Sequence, residues 1–146
     1  MRLNQSSDFS LRILMYLGQS DTPQTVEMVS EHLGLARSHV MKIVAKLGRL
    51  GLIETSRGRG GGIRLGKPAD DIRIGDVVRE MEPDQAIVDC LKAGPTVCAF
   101  LPRCALKPAM KDAAEAFLDS LNRHTLASLL EGTQEAREQN RQKVKA

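Results

Sequence analysis

Residues 25–65 read TVEMVSEHLGLARSHVMKIVAKLGRLGLIETSRGRGGGIRL, and their reading decides the fold. Thr25 is a helix-capping residue, and Val26, Val29 and Leu33 form one apolar side of a short helix that Gly34 breaks. A second helix is expected from about Ala36 to Leu50. In it Val40, Ile43, Val44 and Leu47 recur at i, i+3, i+4 and i+7. At 100° per residue, Ser38, Lys42 and Arg49 point away from that stripe, with His39 and Lys46 beside them. Two helices across a glycine turn, the second with a basic outer face, form a helix-turn-helix pattern whose second helix can enter a major groove. The apolar runs Leu52–Ser56 and Ile63–Leu65, joined by Arg57-Gly58-Arg59-Gly60-Gly61-Gly62, are expected to form a β-hairpin, placed as a wing. Glycine lets the backbone of such a tip approach a phosphate closely, and arginine suits a narrow minor groove. Ser38, His39, Lys42, Lys46, Arg57 and Arg59 are therefore the candidate DNA contacts.

Charge placement agrees. The 146-residue chain has a net charge of +3, yet Ala36–Lys67 alone holds eight basic residues against one acid, Glu54. That is a footprint suited to a phosphate backbone. With one Tyr, three Phe and no Trp, a base-stacking RNA platform is disfavoured. The longest apolar runs, Ile13–Leu17 and Val97–Leu101, are five residues, whereas a membrane-spanning helix needs about 20. The opening MRLNQSSDFS carries no apolar signal region, so the expected location is the cytoplasm.

Around the wing, a first helix is expected to open at Ser7 or Asp8 and run to Gly18, with Phe9, Ile13, Leu14 and Leu17 inward. A fourth helix is expected over Ile74–Met81, closed by Pro83, so that residues 1–82 make a winged helix-turn-helix domain. Residues 83–104 read as a loop, 105–131 as one long helix, and 132–146 as a polar tail. The stripe of Met110, Ala114, Phe117 and Leu121, continued by Leu126, Leu129 and Leu130, has little left to pack on within the chain, so that helix is expected to dimerise. The fold class is mainly α with a small β-hairpin.

The loop holds all three cysteines, as Cys90-x7-Cys98-x5-Cys104. Three thiols in 15 residues point to a metal or redox site rather than a disulfide framework. Structural zinc sites favour a CxxC knuckle, which is missing, whereas iron–sulfur clusters take thiolates at wider spacings. Val97, Ala99, Phe100, Leu101 and Pro102 can exclude water there, and Lys92, Arg103 and Lys107 can offset negative charge. A fourth ligand must come from His32, His39, His124 or a carboxylate; spacing alone makes Asp8 a helix cap. Gly61-x4-Gly66-Lys67 is similar to a phosphate-binding loop, but Pro68 stands where Mg²⁺ binding needs Ser or Thr. No histidine adjoins the cysteines, so a thiol nucleophile would lack its base and no enzyme activity is expected.

Residues 36–83, ARSHVMKIVAKLGRLGLIETSRGRGGGIRLGKPADDIRIGDVVREMEP, together with the opening MRLNQSSDFSLRILMYL and the stretch FLPRCALK over Phe100–Lys107, resemble the winged-helix iron–sulfur transcription regulators. The likeness runs to about Glu131 and is strongest to the nitric-oxide-sensing, NsrR-like branch. It implies a homodimeric repressor of operator DNA that releases DNA on meeting nitric oxide. It also implies a 4Fe–4S cluster (2Fe–2S being the other form) held by Cys90, Cys98 and Cys104 and completed by Asp8 from the partner subunit. IscR-like members use a histidine three residues after the last cysteine, where this chain has Lys107. The x7 spacing is shared with RirA-like regulators, so an iron-responsive regulator is one alternative, and a metal-free thiol redox sensor is another.

Overall fold

The computed structural model describes residues 3–84 and 86–145, the last ten of these by their backbone alone. Helix α1 (Gln5–Leu17) opens earlier than expected. Asn4 caps it, its side-chain oxygen accepting from the Ser7 backbone N–H at 2.8 Å. Asp8 therefore lies in the first turn and is not the cap. Helix α2 (Val26–Leu33) starts at Thr25, whose hydroxyl accepts from the Met28 N–H at 3.2 Å, and stops at Gly34. Gly34 has φ +63°, a left-handed conformation that glycine adopts without strain. Helix α3 (Arg37–Arg49) buries Val40, Ile43, Val44 and Leu47, as its periodicity requires.

Strands β1 (Ile53–Ser56) and β2 (Gly62–Leu65) pair antiparallel, Ile53 opposite Leu65 and Ser56 opposite Gly62. Gln24, ahead of α2, exchanges backbone hydrogen bonds with Ile63 at 2.8 Å in both directions, which ties the wing to the helical body. Helix α4 (Ile74–Met81) has the bounds its sequence predicts. One core joins Ile13, Leu14 and Leu17 of α1, Val29 of α2, the inner face of α3, Ile53 and Ile63 of the hairpin, and Val77 and Met81 of α4.

The expectation of one long helix over 105–131 is corrected. The chain forms α5 (Leu106–Leu121) and α6 (Leu126–Lys145), broken at residues 122–125. Side chains outcompete helix propagation there. Asn122 Oδ1 accepts from the Asp76 N–H at 2.9 Å, and its Nδ2 donates to Asp76 Oδ1 at 2.8 Å, satisfying the start of α4. Thr125 and Ser128 then cap each other reciprocally at the start of α6, each hydroxyl accepting the other's N–H at 3.2 Å.

The apolar stripe divides at this break. Leu126 and Leu130 are buried in the core of the winged domain, so this half of the stripe packs back within the chain. Each such burial stabilises by about 1.5–3 kcal/mol. In α5 only Leu118 is buried, while Met110, Ala114, Phe117 and Leu121 are half-buried. The 132–146 stretch expected as a polar tail continues α6 to Lys145; Ala146 and the side chains of 136–145 lie outside the described residues.

Candidate nucleic-acid interface and cysteine loop

Helix α3 presents Ser38, His39, Lys42 and Arg49 to solvent, as helical periodicity requires. Of the eight basic residues in 36–67, two are neutralised locally. Arg37 pairs with Glu27 at 2.6 Å, and Arg64 with Glu54 at 3.0 Å across the hairpin. Lys42, Arg49, Arg57, Arg59 and Lys67 have no ion-pair partner among the described residues. Unpaired cations on one helix and one hairpin are what a polyanion can neutralise without first breaking a salt bridge. Arg57 and Arg59 are both exposed at the hairpin tip, interleaved with Gly58 (φ +95°) and Gly60 (φ +81°). These left-handed glycines let five residues, 57–61, reverse the chain between the strands.

Two α3 residues lean off that face. The His39 ring lies 6.5 Å from the ring of Phe9 on α1, though its own surface stays exposed. Lys46 is half-buried, its ammonium 3.5 Å from the Met81 carbonyl at the end of α4.

The cysteine loop is irregular apart from one 3₁₀ turn, Asp89–Leu91. Cys90 sits half-buried in that turn, Cys98 is exposed, and Cys104 is half-buried just ahead of α5; all three are free thiols. Among the described residues, no three His, Cys, Asp or Glu side chains are grouped to hold one metal ion. The expected convergence of the thiols is therefore not found in this conformation. Their chemistry does fit an iron–sulfur group, for which thiolates are the usual ligands, and the irregular backbone between them leaves their approach unconstrained by helix or strand. Val97 is fully exposed and Phe100 is 75% exposed, so of the large apolar side chains in 97–101 only Leu101 is half-buried against this chain.

Lys92 donates to Asp89 at 2.6 Å. The hydrogen bond and its charge hold the Asp89 carboxyl below the ordinary carboxylate range and raise the Lys92 ammonium. Lys92 is thereby paired with Asp89 at the surface of the loop. Asp8 is half-exposed on α1 and pairs with Arg12 at 2.8 Å, one turn along the same helix.

The Rrf2 family model, described as iron-dependent transcriptional regulator, matches residues 3–132. The chain belongs to the Rrf2 family. Among characterised members, this Rrf2 chain is 39% identical over 137 residues to the HTH-type transcriptional regulator NsrR of Bacillus subtilis (strain 168). The match covers 92% of this chain and 94% of that protein. Two solved structures share its fold. T. potens IscR superposes with a TM-score of 0.73 at 23% identity over 93% of this chain and 90% of that one. CymR, the global cysteine regulator of B. subtilis, does so with 0.67 at 25% identity over 90% and 97%. This Rrf2 chain is thus a transcriptional regulator with a winged helix-turn-helix fold, of a family that is not enzymatic. No helix among its described residues is long and apolar enough to cross a membrane.

Sequence reasoning missed two features of this Rrf2 chain. The first is Asn4, which takes the capping position assigned to Ser7 or Asp8; an asparagine three residues ahead of Ser7 was the available signal. The second is the α5–α6 break, signalled by the capping pair Thr125-x-x-Ser128 straight after an Asn-Arg-His stretch.

Proposed function

We propose that this Rrf2 protein is a homodimeric repressor that binds a near-palindromic operator and releases it in response to nitric oxide through an iron–sulfur cluster. The observation that carries the DNA half of this reading is the set of cations without an ion-pair partner among the described residues, Lys42, Arg57 and Arg59, on the exposed side of α3 and the tip of the wing. Ser38, His39 and Lys42 face the major groove, and Arg57 and Arg59 enter or flank the minor groove. Two such domains related by twofold symmetry read half-sites about one helical turn apart.

Support for the cluster is chemical: three free thiols on one irregular loop, in a chain 39% identical to an NsrR. Cys90, Cys98 and Cys104 supply three thiolates, and Asp8 of the partner subunit supplies an oxygen. When bound, a cluster of the 4Fe–4S or 2Fe–2S type supplies iron that nitric oxide can attack. Asp8 must leave its ion pair with Arg12 to serve a partner, which ties the start of α1 to the other subunit. Losing that tie frees the two winged domains to reorient, so that the spacing of their recognition helices no longer fits the half-sites. Moving a two-state regulator from mostly bound to mostly free takes about 5.5 kcal/mol of differential stabilisation. The exposed apolar side chains Val97, Phe100 and Leu106 suit an environment completed by a second copy.

One observation favours a second reading, a metal-free thiol sensor: Cys98 is a free, exposed thiol that oxidants can reach. Anaerobic titration of the reconstituted protein with nitric oxide, following release of operator DNA, decides between them. Release in proportion to nitric oxide consumed supports the first reading. A colourless, iron-free protein that releases DNA only on reversible disulfide formation supports the second.

A further inference from the structure

Asn4 does more than cap α1. While its Oδ1 accepts from Ser7, its backbone N–H and its Nδ2 donate to the two carboxylate oxygens of Glu82, each at 2.9 Å. The same Nδ2 lies 3.4 Å from the Met81 carbonyl, and Lys46 of α3 approaches that carbonyl from another side at 3.5 Å. Three elements thus meet at one point: the start of α1, the end of α4 and the recognition helix. Glu82 immediately follows α4 and precedes the cysteine loop. Asp8 is one turn away, its N–H donating to the Asn4 carbonyl at 3.1 Å.

We propose that Asn4, Glu82 and Lys46 are positioning residues that couple the start of the cysteine loop to the first turn of α1 and to the recognition helix. The coupling role rests on the functional reading above, since it gives the loop a route to the DNA-binding face. Bonds to a carboxylate are among the stronger hydrogen bonds, and a cation at the last carbonyls of a helix is favoured by the helix dipole. A shift of the loop that draws Glu82 away removes the acceptor for both Asn4 donors. It also moves the carbonyl that holds Lys46. Lys46 is then a residue that acts on DNA through α4, and not a phosphate contact.

The variant Asn4→Ser separates the two duties of Asn4. Serine caps a helix about as well as asparagine but lacks the Nδ2 donor, so of the two bonds to Glu82 only that from the backbone N–H remains. Amide hydrogen exchange is read on the metal-free chain, so its outcome does not depend on a cluster. Residues 78–84 and 43–50 are expected to exchange about tenfold faster, while residues 4–11 keep their protection and the wing, 53–65, is unchanged. Glu82→Ala should open the same two stretches. Wild-type exchange over 43–50, or an equal rise everywhere including the wing, overturns the coupling.

DNA binding supplies the second readout, on a duplex selected by this chain from a random pool. Lys46→Met is expected to lower affinity with the salt slope unchanged, and Lys46→Arg to restore it. A slope smaller by about 1.8, the loss of one phosphate contact from each subunit, makes Lys46 a direct contact and overturns the inference. Failure of the wild-type chain to bind any duplex sinks the functional reading instead, and leaves the exchange result to judge the junction.

Discussion

Replacing Lys42 with alanine tests the DNA-binding face quantitatively. Lys42 lies on the exposed side of α3 and has no ion-pair partner among the described residues. Its charge is therefore free for a phosphate, and no ion pair among the described residues is lost with it. If Lys42, Arg57 and Arg59 each neutralise one phosphate in a symmetric pair, six counterions are released per complex. The slope of log K against log salt is then about −5.4, and affinity falls about a thousandfold between 50 and 200 mM salt. Lys42→Ala removes two of those contacts, which brings the slope to about −3.6 and the same salt step to roughly a hundredfold. Fluorescence anisotropy with a selected duplex at four salt concentrations measures both slopes. Arg64→Ala is the internal control, because Arg64 is bound to Glu54 at 3.0 Å and should change the slope far less. A slope unchanged by Lys42→Ala, or changed equally by both variants, refutes the argument that unpaired cations mark the interface.

Asp8→Ala is expected to leave the affinity of the metal-free chain for DNA little changed, while altering the visible spectrum of reconstituted protein or its nitric oxide response; identical spectra and responses remove Asp8 from the site. Arg12→Ala should shift the melting temperature by only a degree or two, since the Asp8–Arg12 pair is about half-exposed and such pairs contribute about 0–1 kcal/mol. Leu126→Ala, at a core position, is expected to cost about 2–5 kcal/mol in denaturant unfolding, and a cost near zero would mean that α6 does not dock as described. Gly75→Ala places a Cβ against the Leu118 carbonyl oxygen and 2.5 Å from Asn122 Oδ1, so α5 must move off α4; a wild-type melting temperature would contradict that packing. Glu115 is held below its ordinary value of 4.5 by the hydrogen bond and charge of Arg79. Its contribution to stability is thus present above that value and lost as pH falls through the lower folded one. Glu115→Gln should flatten the acid limb of the stability–pH curve, which urea midpoints between neutral and acid pH would register.

The winged domain was legible because local and global preferences agree there. The α3 stripe of Val40, Ile43, Val44 and Leu47 has the helical period, Gly34 stands where a left-handed residue is needed, and the glycine run lies between the two strands of one hairpin. The limits of α4 followed from Ile74, Met81 and Pro83 for the same reason. The α5–α6 stretch was misread because apolar residues recur beyond residue 122, although in one continuous helix Leu126, Leu129 and Leu130 would fall about 140° away from the stripe of Met110, Ala114, Phe117 and Leu121. What breaks the helix is long-range: Asn122 is bonded to Asp76, 46 residues earlier. Periodicity carries no record of such a partner. Lys46 illustrates the same limit. Its angle on the helix wheel placed it beside the DNA face, but only the folded chain shows the Met81 carbonyl within its reach. The cysteine pattern was visible from spacing, whereas a fourth ligand was not; the one proposed, Asp8 of a second subunit, leaves no spacing to read.

Iron and acid-labile sulfide, measured in oxygen-free protein after reconstitution, bear most directly on the role of Cys90, Cys98 and Cys104. Both elements should be retained in the wild-type protein, with the broad visible absorption of thiolate-bound iron, and both should be lost in Cys98→Ala. A wild-type chain that takes up neither, or a Cys98→Ala chain that keeps both, would contradict the account.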